Sequence, residues 1–189
     1  ISAIDFDLLR REFAKVKKKN LVLRDLEEFI QMKLDSMLFV NPVRINYYER
    51  YQQIIDDYNN EQDRATIEKT FMDLMNLANS MNQEEQRYAR EGFTSDEELS
   101  LYDMLFREDL SKNDMKKLKE VAATLLQKIK AKISELDHWT DKQETKAAVD
   151  NLIRDTLWAE LPECYDEVSI SVYRQQIYEY VYTRYKEVA

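Results

Sequence analysis

The stretch Glu91-Gly92-Phe93-Thr94-Ser95-Asp96-Glu97-Glu98-Leu99 holds the single glycine of a 189-residue chain and its best-marked helix start. Gly92 suits the left-handed position just past a helix end. Ser95-Asp96-Glu97-Glu98 reads as a capping box, in which the serine oxygen accepts from a free amide and Glu98 reaches back. One glycine and two prolines stand where average usage gives roughly 13 and about 9. A Gly-rich phosphate loop and a G-x-G-x-x-G dinucleotide fingerprint are therefore impossible. A sandwich or barrel, with a turn residue every 8–12 positions or so, is excluded on the same ground. The expectation is an all-α, irregular bundle of about seven to eight helices.

Outward from that stretch, the apolar spacing is helical almost everywhere. Phe6, Leu9, Phe13 and Val16 share one face, and Leu23, Leu26, Phe29 or Ile30, Lys33 or Leu34, and Met37 share another. Asn41-Pro42 reads as an N-cap with proline at the first helical position, with Val40 and Ile45 placed to close a staple. The helix that follows carries Ile45, Tyr48, Ile55 and Tyr58 or their neighbours. A further helix over about 63–81 presents Ile67, Phe71, Leu74 and Ala78, and residues 84–91 continue it to Gly92. Beyond the capping box come Leu99, Tyr102, Leu105 and Phe106. Ser111 caps the next helix, with Asp114 in its first turn and Leu110 and Met115 as its staple. That helix runs to about Leu136 through Leu118, Val121, Leu125 and Ile129. Thr140-x-x-Gln143 reads as a second capping box, opening a helix through Ala147, Ile153 and Leu157 that ends near Leu161-Pro162. A final helix spans about 166–188.

The expected organisation is one helical domain over 1–189, with possible sub-boundaries near 41, 92 and 139. The opening Ile1-Ser2-Ala3-Ile4 suggests a fragment of a larger protein. The chain carries 28 basic and 37 acidic side chains, a net charge of −9. Residues 41–100 hold six basic and thirteen acidic side chains, a net of −7. An acidic surface repels a phosphate backbone at long range, so duplex DNA is not expected as the ligand of the whole surface. One cysteine, Cys164, rules out an internal disulfide and a Cys-based zinc cluster. No apolar run approaches the ~20 residues of a membrane helix, and a cytoplasmic setting is expected.

Residues able to carry chemistry are few. Glu135-x-x-His138 has the spacing of a di-iron half-site, but such a bundle needs two of these motifs and His138 is the only histidine. Nucleophilic catalysis through a serine or Cys164 would need the same His138. No pair of carboxylates is marked out by spacing for unlike environments, and Pro162-Glu163 lacks the acidic-x-lysine that would complete a nuclease motif. No catalytic, metal or cofactor-binding residue is assigned. Lys15, Lys17, Lys18 and Lys19, beside Arg10 and Arg11, form the one candidate phosphate-contacting patch, with a solvated helix face as the plainer reading. The last helix carries Tyr173, Tyr178, Tyr180, Tyr182 and Tyr185. Ile170, Tyr173, Ile177 and Val181 form one stripe, and Tyr178, Tyr182 and Tyr185 form another. A helix apolar on two faces is either central in the fold or docks a partner. Tyr178, Tyr182 and Tyr185 are thus candidate docking residues, with core packing as the alternative.

Several segments together resemble a known family. They are Asn41-Pro42-Val43-Arg44-Ile45-Asn46-Tyr47-Tyr48-Glu49-Arg50-Tyr51, Ile54-Ile55-Asp56-Asp57-Tyr58-Asn59, Thr66-Ile67-Glu68-Lys69-Thr70-Phe71 and the Arg90–Leu99 stretch. Val121-Ala122-Ala123-Thr124-Leu125-Leu126, Trp139-Thr140-Asp141-Lys142, and Leu161-Pro162 with Tyr165 continue the pattern. The chain resembles the C-terminal region of the R (restriction, motor) subunit of type I restriction–modification enzymes, with Phe93 where leucine is more usual. The resemblance implies a parent that is an ATP- and Mg²⁺-dependent DNA translocase and nuclease. It implies for these residues a helical, non-catalytic role in holding that parent to the methyltransferase and specificity subunits. DNA would then be met through the parent complex. The other class left open is a free-standing helical adaptor whose acidic middle meets a basic partner. A metal-dependent bundle enzyme is a third.

Overall fold

The structure, a computed structural model, describes residues 6–15, 19–60 and 64–186. Among these residues every regular element is helical. The chain divides into two compact units, residues 1–86 and 87–189.

The first unit contains α1 (Phe6–Lys15), α2 (Lys19–Val40), a 3-10 turn (Pro42–Arg44), α3 (Ile45–Asn60) and α4 (Arg64–Glu85). α4 packs against both α2 and α3. From α2, Leu23, Leu26, Ile30, Leu34 and Met37 are buried, so the stripe passes through Ile30 and Leu34, with Phe29 only partly covered. They meet Phe71, Leu74, Met75, Leu77, Ala78 and Met81 of α4, while Ile67 stays at the margin. Full burial of each such side chain is worth about 1.5–3 kcal/mol. Phe13 of α1 lies flat on Phe71, with centroids 3.6 Å apart. The side chains of Phe6 and Leu9, and Val16 altogether, lie outside the described residues.

Asn41 makes the corner. It is fully buried, its amide donates to the Met37 carbonyl at 2.9 Å, and its Oδ1 accepts from the Val43 amide at 3.1 Å. The cap is thus as expected, but it opens one 3-10 turn before α3 begins. Ile45 is half exposed, which leaves no closed staple with Val40. Tyr48 is exposed as well, and α3 instead turns Tyr47, Tyr51, Ile54, Ile55 and Tyr58 inward. The expected face was displaced because apolar residues come in adjacent pairs here, and packing on α4 selects between them. Arg44, 3% exposed, donates from Nε to Glu84 Oε1 at 3.0 Å, joining the corner to the end of α4.

The second unit contains α5 (Arg87–Arg90), α6 (Asp96–Leu105), α7 (Lys112–Ser134), α8 (Gln143–Glu160) and α9 (Glu167–Arg184). The expected continuation through 84–91 is broken at Gln86, so α5 is a separate turn and the ninth helix among the described residues. α6 packs on α7, α7 on α8, α8 on α9, and α9 back on α6. With short connections, this is an up-down-up-down four-helix bundle.

Gly92 ends α5 with φ +83°. Its amide donates to the Ala89 carbonyl and the Phe93 amide to Tyr88, the two bonds of a Schellman motif. Ser95 caps α6 by accepting from the Glu98 amide at 3.2 Å. Glu98 does reach back, but one residue further than expected, to the amide and hydroxyl of Thr94. At α7, Ser111 and Asp114 form a complete capping box. The Thr140–Gln143 box is not formed: α8 starts at Gln143 after Lys142, without a side-chain cap. Residues 138–141 close a turn instead, with His138 at φ +45°, and the Thr145 hydroxyl donates to the carbonyls of Trp139 and Lys142. Ala147 is exposed, and the α8 stripe runs through Val149, Ile153, Thr156 and Leu157. Phe106, just past α6, is 42% exposed rather than buried, with its ring tilted against Tyr102.

Candidate docking surface

The tyrosine-rich helix is held by a residue that periodicity did not single out. Trp139 is 1% exposed, and its indole N–H donates to the Tyr185 carbonyl at 2.9 Å. Tyr178 and Tyr182 stand edge-on to its ring, at 6.4 and 5.8 Å. Tyr185 is buried, and burial, reinforced by the neighbouring Glu97 charge, pushes its hydroxyl well above the usual tyrosine range. Burial, then Asp150 and Tyr182, raises Tyr178 in the same direction. The second tyrosine stripe therefore closes on a loop of its own unit, with Tyr178 and Tyr182 half-buried and partly open at its edge. Tyr165, in the α8–α9 connection, donates its hydroxyl to the Leu105 carbonyl at 2.6 Å, and burial raises it strongly.

The candidate phosphate patch is divided. Lys15 is exposed and pairs with Glu12 at 3.3 Å. Lys19 is mostly covered, with its ammonium over the Phe13 ring and paired with Glu68. Lys17 and Lys18 lie outside the described residues. His138 is exposed beside Asp137, and Glu135 pairs with Lys132. Cys164 is exposed, and its carbonyl accepts from Arg107 at 3.0 Å. Among the described residues no three His, Cys, Asp or Glu side chains gather as metal ligands. A polar hollow of about 300 Å³ lies between α3 and α4, with Asp57, Lys69, Thr70 and Asp73 on its walls.

What the structure adds is an apolar surface on the outside of the bundle. Trp158 of α8 is 60% exposed, and Val168 and Val172 of α9 are 73% and 50% exposed. The partners that fix α8 against α9 also fix their register. Trp139 meets Tyr185 at one end, and Asp150 accepts from Arg174 Nε at 2.7 Å further along. Carried forward, that antiparallel register sets Trp158 beside the first turn of α9, where Val168 stands. On α8, Trp158 points away from the Val149–Ile153–Leu157 stripe. On α9, Val168 and Val172 oppose Ile170 and Ile177. Residues 155–173 contain five acidic side chains and no lysine or arginine. Two of the five are spent internally, Glu160 on Lys128 and Asp166 on capping α9. That charge-biased run around an off-stripe tryptophan was the available sequence signal.

The fold and surface thus define an all-helical domain with two cores, whose apolar outer patch sits in acidic surroundings. The family model described as Type I restriction enzyme HindI endonuclease subunit-like, C-terminal, matches residues 1–178. The chain belongs to that family. Trp158, Val168 and Val172 fall within the match, while Tyr182 and Tyr185 lie beyond it. No curated protein and no solved structure matches the chain. None of the helices among the described residues is long and apolar enough to cross a membrane.

Proposed function

We propose that this chain is the non-catalytic docking domain of a type I restriction endonuclease subunit. It holds a cytoplasmic ATP-driven DNA translocase and nuclease to the methyltransferase and specificity subunits. The observation that carries this reading is the family match across residues 1–178 of an entirely helical chain. The chemistry of the residues supports it. The only glycine closes α5 in a Schellman turn, so no backbone is left bare for the close approach of a nucleotide phosphate. The residues present do not fit an ATP–Mg²⁺ site, which belongs to the parent. The net charge of −9 argues in the same direction, since DNA would be repelled rather than gathered by this surface. The test is co-purification of the methyltransferase and specificity subunits with the full-length endonuclease subunit, with and without this region. Loss of association with retained DNA-stimulated ATPase activity is the expected result. Unimpaired assembly of the truncated subunit, or ATP turnover by this chain alone, would overturn the reading.

A further inference from the structure

We propose that the exposed Trp158–Val168–Val172 surface of the α8–α9 hairpin docks a lysine- or arginine-rich amphipathic segment of a partner subunit. This deepens the docking reading above and rests on it.

The occupant follows from two properties of the surface. The first is apolar: a tryptophan 60% exposed, set beside two valines at least half exposed, offers a broad ring and aliphatic flanks. Tryptophan is among the residues that most often dominate binding energy when a partner covers them. Nothing inside the bundle explains this one, because α8 already buries Val149, Ile153, Thr156 and Leu157 on its opposite side. The second is charge. Glu163 and Glu167 flank the patch, exposed and without a basic partner among the described residues, and Asp155 meets only the neighbouring Arg154. An apolar anchor inside an acidic margin selects a segment with the inverse pattern, aliphatic side chains at its centre and ammonium or guanidinium groups at its edge. Nucleic acid is disfavoured by the same carboxylates.

The experiment uses the full-length endonuclease subunit and a purified methyltransferase–specificity complex, with affinity measured at low and at physiological salt. Trp158→Ala with Val168→Ser is expected to weaken binding roughly ten-fold or more, with the thermal melt of the free subunit unchanged because both side chains are exposed. Glu163→Lys with Glu167→Lys leaves the apolar anchor intact. It should also weaken binding and should flatten the salt dependence. Wild-type binding matched within about two-fold by both pairs of variants would overturn this assignment while leaving the docking reading standing. A wild-type subunit that does not bind the complex at all would bring down both. If the subunit instead self-associates and Trp158→Ala returns it to monomer, the occupant is a second copy and the proposal fails.

Discussion

The two units solve the same problem with different means. In residues 1–86 the core is aliphatic and methionine-rich, built from Leu23, Leu26, Ile30, Leu34, Met37, Leu74, Met75, Leu77 and Met81. Its polar specificity is concentrated at one corner, where Asn41 and the buried Arg44–Glu84 pair set the start of α3. In residues 87–189 the core is stitched by aromatic side chains that each fix a distant backbone carbonyl. Trp139 reaches Tyr185, and Tyr165 reaches Leu105. Its helix ends are also marked individually, by Gly92, Ser95, Ser111 and Asp166. Aliphatic stripes say that a helix packs but leave its rotation to the neighbours. Hydrogen-bonding aromatics and caps fix where each helix starts and which residue it faces.

The largest expected effect tests the aromatic side of this contrast. Trp139→Ala removes a fully buried indole and its bond to Tyr185, and a change of that kind costs about 3–5 kcal/mol. Urea unfolding together with amide exchange in α9 should show it. A loss below about 1 kcal/mol would mean that α8 and α9 are held elsewhere. The counterpart in the first unit is Glu84→Ala, which strands the Arg44 guanidinium in a site 3% exposed. Breaking one partner of a buried pair costs roughly 3 kcal/mol, whereas replacing both by apolar residues is near neutral. Arg44→Met combined with Glu84→Leu should therefore recover most of the loss. If the double variant is worse than the single one, the corner needs the ion pair itself rather than filled volume.

How much could be read beforehand follows the same division. The helix-only fold, the Gly92 stop and the Ser111–Asp114 box were legible because they rest on residue types with local backbone consequences. The α2 stripe was legible because its apolar residues stand apart along the chain. α3 was not, since Tyr47 beside Tyr48 and Ile54 beside Ile55 allow two faces, and only α4 decides between them. The Thr140–Gln143 pattern was satisfied in sequence and overruled in space. The chain around His138 turns inward to deliver Trp139, and a helix cannot begin until Gln143. The second tyrosine stripe of α9 was ambiguous for a related reason. The partner that covers it arrives from 39 positions upstream of Tyr178 and leaves no periodic trace. Trp158 was passed over because a single off-stripe side chain carries no period at all.

The smallest effect concerns charge, and it sharpens the account of the bundle. Glu97, in the first turn of α6, receives hydrogen bonds from Lys130 of α7 and from Arg184 Nε at the end of α9, the latter at 3.2 Å. Burial works to raise its carboxyl, but the Lys130 bond and the charges of Lys130 and Arg184 outweigh it and hold the group below the usual range. A carboxyl depressed in the folded state adds stability that is fully present above its unfolded value near ~4.3. That stability is lost as pH falls through the folded value. Glu97→Gln should therefore melt below wild type at neutral pH, with the gap closing as pH approaches about 3. The gap should stay smaller than the two losses above, because the pair is partly open to water and screened by salt. Glu91, held down by Lys119, titrates with the same sign and remains in both proteins, so neither melting curve becomes flat with pH. A gap of constant size from neutral to acid would assign the effect of Glu97 to packing. The α6–α7–α9 junction would then join the aliphatic pattern of the first unit instead of the directed contacts of the second.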